Sequence, residues 1–157
     1  MLKDIRNFLP LTANLLSSGM PTADQVTDIA QAGVRVVINL APFDPERDLH
    51  DEASLVRSAG MEYVNIPVDW DAPTGSDLQT FMRAMDRNGD RKVLVHCRAN
   101  YRATGFVTLY RILRLGWKPD EAFKHLRSIW NPDDYPVWKK FIDDNLTGRE
   151  RTSQQGA

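Results

Sequence analysis

Four side chains within six consecutive positions of this chain can do chemistry together: Cys97, Arg98, Asn100 and Arg102. A thiolate is a strong nucleophile, and a guanidinium offers a planar fork of donors that matches the oxygens of a tetrahedral anion. Cys97 is the single cysteine among 157 residues, so it has no disulfide partner in the chain and no cysteine cluster to hold a metal. A lone cysteine after an apolar run is often only a small buried filler. That role does not account for an arginine at each end of the loop that follows. Nor does it account for Asn100 between them, a residue that tolerates the left-handed backbone of a tight anion-binding turn. An anion site with a nucleophile in its floor implies covalent catalysis.

The elements that position these residues are legible around them. Val93, Leu94 and Val95 form the short apolar run of a buried parallel strand, while Phe106, Leu109, Tyr110 and Leu113 recur at helical spacing. Residues 97–102 therefore join the carboxyl end of a strand to a helix N-terminus, where backbone N–H groups and the helix dipole converge. An anionic sulfur is stabilised there by the dipole and by neighbouring arginines. His96 is expected to orient the loop through ring hydrogen bonds; the alternative is a merely buried histidine.

The remaining chain alternates strand and helix signals. Residues 14–19 read as a brief edge strand after an irregular N-terminal arm, and Thr22 as the N-cap of a helix that Gly33 ends. Residues 34–40 are a near-continuous apolar run expected as a central parallel strand, with Asn39 at its end. A helix is expected over 46–59, with Leu49, Ala53, Leu55 and Val56 inward, and a strand over 61–66. Residues 67–75 form a polar loop carrying Asp69 and Asp71 at a strand's carboxyl end, where open α/β sheets place their sites. Ser76 is expected to cap the next helix, Pro119 and Asp120 to start another, and residues 134–146 to form the last. Trp117, Trp130, Tyr135 and Trp138 read as packing for these helices, and Tyr101 as a pocket wall or a partner of Trp70. The fold class is thus α/β: a single domain over residues 1–146 with a mainly parallel central sheet flanked by helices, followed by a flexible tail over 147–157.

The formal net charge is −1 and the basic residues are scattered, which argues against nucleic-acid or membrane-surface partners. No apolar run approaches membrane-spanning length, and residues 1–10 carry Asp4, Arg6 and Asn7 where a signal peptide needs apolar residues. A cytoplasmic location is expected unless a leader has been removed. His50 and His125 are isolated, so neither a metal nor another cofactor is expected.

The sequence Val95-His96-Cys97, an arginine-ended loop and a helix resemble the phosphate loop of the cysteine-dependent protein tyrosine and dual-specificity phosphatases. Ser18-Gly-Met-Pro-Thr22, Ala32-Gly-Val-Arg-Val-Val-Ile-Asn-Leu40 and Tyr63-Val-Asn-Ile-Pro67 are similar to a bacterial, phosphatase-like branch of that superfamily. The resemblance implies a dual-specificity phosphatase-like fold and hydrolysis of a phosphate monoester, in a phosphorylated protein or a small molecule, without a metal. Cys97 would attack phosphorus to form a cysteinyl-phosphate, and Arg98, Ala99, Asn100, Tyr101 and Arg102 would hold the phosphoryl oxygens. An aspartate would protonate the leaving group: Asp69 is the first choice, because it directly follows the strand extension, and Asp71 the second. His96 and Thr104 would support the loop.

The loop departs from the usual motif. Cys97 and Arg102 enclose four residues, one fewer than usual; Asn100 stands for a glycine; and Ala103 follows the arginine. Either the loop is short and Arg102 is the clamp, or Ala103 occupies the arginine's place, Thr104 keeps the hydroxyl and the site is a weakened enzyme or a phospho-ligand binder. The first alignment is preferred. A six-residue loop beginning Cys-Arg also resembles the rhodanese sulfurtransferases, in which Cys97 would carry a persulfide and no general acid would be needed.

Overall fold

The computed structural model describes the backbone of residues 1–155 and the side chains of residues 1–148. Its five-stranded sheet has the order β1-β2-β5-β3-β4, with β1 Leu9–Thr12, β2 Leu15–Ser18, β3 Val36–Asn39, β4 Glu62–Asn65 and β5 Val93–His96. Strands β2 to β5 are parallel, and β1 pairs antiparallel with β2. The architecture is the expected α/β sheet flanked by helices.

Successive strand residues face opposite sides, and both sides are covered. Val36, Ile38, Val93 and Val95 enter one core with Phe81, Phe106, Trp130 and Trp138. This is the face of α3 (Gly75–Arg87), α4 (Tyr101–Leu113), α5 (Pro119–Arg127) and α6 (Pro136–Gln155). Val37 and Leu94 enter the other core with Val26, Ile29 and Val56, from α1 (Ala23–Gln31) and α2 (Glu52–Ser58). Every residue of β3 and β5 is buried, which is why both read as continuous apolar runs rather than as alternation.

Several boundaries differ from expectation, each for a local reason. The N-terminal arm is ordered: a 3₁₀ turn (Leu2–Asp4) leads into β1, whose half-exposed Leu-Pro-Leu-Thr pattern and proline disguise an edge strand. The strand expected at the edge is therefore interior. Thr22 caps α1 in a reciprocal box with Gln25, as expected. The helix expected over 46–59 begins only at Glu52. Before it, Asp48 Oδ2 accepts from the Asp44 N–H at 2.8 Å and Asp44 Oδ1 from the Glu46 N–H at 2.9 Å, local bonds that compete with helix. Thr74, not Ser76, caps α3, because Asp77 completes a capping box with it. Lys118 holds the N-cap position of α5 with Pro119 first in the helix, and Asp120 lies in the first turn. A 3₁₀ turn (Pro132–Asp134) precedes α6. The α6 backbone continues past Leu146 to Gln155, through a stretch rich in helix-forming Arg, Glu and Gln. Residues 156–157 of the expected tail lie outside the described residues.

Candidate active site

Residues 97–102 turn the chain from β5 into α4 at the carboxyl edge of the sheet. Cys97 is 1% exposed, and its N–H donates to Ser18 O at 3.3 Å. Asn100 is left-handed, with φ 70° and ψ 9°, as its residue type suggested. Its Nδ2 donates to Asn7 O at 2.8 Å and to Ser17 Oγ at 3.1 Å. Thr104 Oγ1 donates back to Asn100 O at 2.7 Å and accepts from Trp130 Nε1 at 2.9 Å, which ties the loop to the aromatic core. From the far side Gly19 closes on the loop: a Cβ there would lie 2.6 Å from Arg98 O. The loop is thus fixed on all sides before any ligand arrives, and the first N–H groups of α4 have no intrahelical acceptor.

The two arginines have different tasks. Arg98 makes a two-toothed bond to Asp48, Nε to Oδ1 at 3.0 Å and Nη2 to Oδ2 at 2.9 Å, and Nη2 also reaches Pro42 O at 3.3 Å. The Asp48 hydrogen bonds raise its already high pKa, burial opposing. It is a strut to the 42–48 loop. Arg102 is 5% exposed, and its Nη1 donates to Val68 O at 2.9 Å, which ties the first turn of α4 to the loop carrying Asp69 and Asp71. Ala103 is fully buried within α4.

A cleft of about 490 Å³ opens over this loop, lined by Cys97, Arg98, Ala99, Tyr101 and Arg102 and faced by Trp70, Asp71, Tyr135, Arg6 and Arg47. Asp69 lies on an adjoining cleft with Pro42, Asp44, Arg98 and Arg102, and its Oδ1 accepts the Asp71 N–H at 2.9 Å. The two aspartates therefore occupy different positions: Asp71 lines the cleft that holds Cys97, and Asp69 buttresses the turn. Trp138 Nε1 pins that turn through Trp70 O at 2.8 Å. Aromatic stacking builds the wall, Trp70 on Trp138 at 5.2 Å and Tyr101 on Trp130 at 5.1 Å, with Tyr135 edge-on to Trp70 at 5.4 Å. Trp130 and Trp138 are buried packing residues, as expected. Tyr101 is both wall and packing, and burial beside Tyr101 raises the Tyr135 pKa. Trp117 lies elsewhere, under the Arg111 guanidinium at 4.1 Å.

Beneath Cys97 lies a buried polar network. His96 is fully buried; its Nδ1 faces Cys97 O at 3.2 Å and its Nε2 bonds Glu52 Oε1. Asn39 Nδ2 donates to Glu52 Oε2 at 3.2 Å and to Tyr63 OH at 3.1 Å, and Asn39 Oδ1 accepts from the Ala41 N–H at 2.9 Å. Burial, and then the Glu52 charge, push the Tyr63 phenol up to about 12. Among the described residues no group of three or more His, Cys, Asp or Glu could hold a metal, and no helix is long and apolar enough to cross a membrane.

Residues 13–116, which include both the Asp69–Asp71 turn and the Cys97 loop, match the family described as "Polymorphic toxin system, DSP-PTPase phosphatase". The chain belongs to this family. A candidate phosphatase (DUF442) from Shewanella putrefaciens CN-32 is 41% identical and superimposes with a TM-score of 0.85, over 94% of this chain and 95% of that one. TpbA of P. aeruginosa shares the fold at 20% identity, with a TM-score of 0.72 over 88% of this chain and 84% of that one. A Beta-lactamase hydrolase-like protein of Xylella fastidiosa is 33% identical over 115 residues, 71% of this chain, and the chain spans 26% of that relative's length.

In this DSP-PTPase domain Glu52 is the site residue that the sequence did not single out. It reads as an ordinary acidic residue within the helix expected over 46–59, and only its i,i+4 spacing to buried Val56 marks it as inward-facing. Asn39, read as the end of its strand, caps that end, its Oδ1 accepting the Ala41 N–H two residues on.

Proposed function

We propose that the domain hydrolyses phosphate monoesters, aryl esters such as phosphotyrosine preferentially, through a cysteinyl-phosphate intermediate. The observation that carries this reading is that Cys97, Arg102 and Asp71 line one cleft together with three aromatic side chains, Trp70, Tyr101 and Tyr135. A phosphate on a flat ring meets arginine and helix N–H groups at one end and π-faces along its length. Related folds have been solved with such esters, TpbA with pTyr and PTPMT1 with PI(5)P. The family match favours this chemistry over persulfide transfer.

In the proposed cycle Cys97 Sγ attacks phosphorus as the thiolate, and the bond from phosphorus to the ester oxygen breaks. Arg102, with the N–H groups of residues 98–102, holds the three remaining oxygens. Asp71 gives its proton to the leaving oxygen; its carboxylate then takes a proton from the water that attacks the thiophosphate ester, releasing inorganic phosphate and restoring the thiolate. Asp71 is preferred over Asp69 because Asp69 Oδ1 already accepts the Asp71 N–H. The left-handed turn at Asn100 closes the short loop, and Arg102 in the first turn of α4 serves as its clamp.

Turnover of p-nitrophenyl phosphate, with intact mass followed in parallel, tests the reading. Activity should vanish in Cys97→Ser and fall further in Asp71→Asn than in Asp69→Asn, most steeply for poor leaving groups. A gain of one sulfur from thiosulfate with no phosphate release would overturn it in favour of a persulfide carrier. Phosphotyrosine binding without turnover would leave only a binding module.

A further inference from the structure

We infer that the N-terminal arm contributes a second anion subsite, Arg6 with Arg47, which selects phosphotyrosine peptides carrying acidic residues beside the phosphotyrosine. The inference rests on the phosphatase reading of the same cleft and names the substrate that the cleft prefers.

Arg6 is placed by construction rather than by chance. Ile5, 2% exposed, anchors the arm in the core, and Asn7 follows in a left-handed conformation at φ 49°. Three bonds then stitch this short stretch to Gly19 and to the Cys97 loop. Arg6 O accepts the Gly19 N–H at 2.7 Å, Asn7 Nδ2 donates to Ala99 O at 2.9 Å, and Asn100 Nδ2 donates to Asn7 O at 2.8 Å. The backbone on which Arg6 sits is therefore as fixed as the loop itself.

The charges at the cleft are unevenly committed. Arg98 is neutralised by Asp48, and Arg102 is bonded to Val68 O. Arg47 gives one nitrogen, Nε, to Asp44 at 2.8 Å and is 68% exposed. Arg6 lines the cleft as an exposed cation, and no carboxylate among the described residues pairs with it. Both Arg6 and Arg47 also line a second cleft of about 490 Å³, with Met20, Pro21, Thr22 and Leu49, which shares Arg98 with the first. The two clefts form one groove leading away from Cys97 with two exposed guanidinium groups at its junction. In a chain of net charge −1 this concentration is local. A groove that continues beyond the phosphate site, past apolar residues and a paired cation, suits an extended peptide with acidic side chains rather than a compact single phosphate.

The test compares two phosphotyrosine peptides, one with glutamates flanking the phosphotyrosine and one with glutamines. Binding to the Cys97→Ser variant is titrated and kcat/KM is measured for the wild type, each with and without Arg6→Ala and Arg6→Lys. Exposed charge pairs are individually weak, so two of them give a preference of roughly three- to tenfold for the acidic peptide at low salt. It should shrink with added salt, fall to roughly two- to threefold in Arg6→Ala, where Arg47 alone remains, and survive largely in Arg6→Lys. Because Arg6 acts through an exposed side chain while its carbonyl holds Gly19, the alanine variant keeps the arm's backbone bonds. Equal affinity for the two peptides, or a preference undiminished in Arg6→Ala, overturns the subsite. Turnover of both peptides with no preference does so while leaving the phosphatase reading intact. A preference in binding with no turnover of either peptide or of p-nitrophenyl phosphate sinks the hydrolase and keeps the subsite.

Discussion

Glu52→Gln should uncouple the phosphate loop from its foundation without unfolding the domain. Glu52 is 6% exposed and accepts from three buried groups: His96 Nε2, Asn39 Nδ2 at 3.2 Å and Tyr63 OH at 3.4 Å. Glutamine keeps the length and one acceptor oxygen, so some of these donors stay satisfied at a cost of about 1–2 kcal/mol. Glu52→Leu leaves His96 Nε2 and the Tyr63 hydroxyl without this acceptor, while Asn39 Nδ2 keeps Tyr63 OH. Removing one member of a buried pair costs about 3–5 kcal/mol, which for a domain of this size corresponds to a Tm lower by roughly 6–20 °C. The catalytic effect of Glu52→Gln should exceed its stability effect, because His96 holds the carbonyl of Cys97 itself. A nucleophile displaced by about 1 Å loses on the order of a hundredfold in rate, so kcat for p-nitrophenyl phosphate should fall tenfold or more with KM little changed. Thermal unfolding and steady-state kinetics on the two variants and on His96→Asn supply the measurement. The double variant Glu52→Gln, His96→Asn should lose little beyond the worse single one. If Glu52→Gln retains kcat within twofold and an unaltered Tm, the buried pair does not position the nucleophile.

Gly19→Ala places a Cβ 2.6 Å from Arg98 O and 3.0 Å from Arg6 O, both backbone atoms. The phosphate loop must shift, so kcat should drop at least tenfold alongside a destabilisation of about 1–3 kcal/mol seen in urea. Gly105→Ala meets Trp138 Cζ3 at 3.2 Å behind the aromatic wall; overpacking of that kind outweighs the gain of about 0.5–1 kcal/mol in helix propensity. Its Tm should fall by a few degrees, and an increase would refute the tight fit. His125 carries a lowered pKa, from burial and then from Arg111, whose Nη1 donates to His125 Nδ1 at 3.0 Å. The unfolded chain thus binds the proton more readily, and stability is fully present above the unfolded value of about 6.5 and is lost as pH falls below it. The Tm decline between pH 7.5 and 5.5 should be smaller in His125→Asn, whose side-chain oxygen still accepts from Arg111; identical slopes would exclude His125 as its source.

Read alone, the sequence determined what is local. Val93, Leu94 and Val95 dictate a buried strand, Thr22 with Gln25 a helix start, and Asn100 a left-handed turn, because each follows from the conformational preferences of a few neighbouring residues. It also placed a cysteine and two arginines on one strand-to-helix loop, the setting on which the proposed chemistry rests. The tertiary structure decided which distant groups complete the site. Glu52 reaches His96 across 44 residues, Asp48 reaches Arg98 across 50 and Asn7 meets Asn100 across 93. No periodicity encodes such pairings, because they arise when parallel strands bring the loops at one sheet edge together. The same holds for the two aspartates, two positions apart: the sequence ranked Asp69 first for following the strand directly, whereas in the structure Asp69 Oδ1 accepts the Asp71 N–H and Asp71 lines the Cys97 cleft.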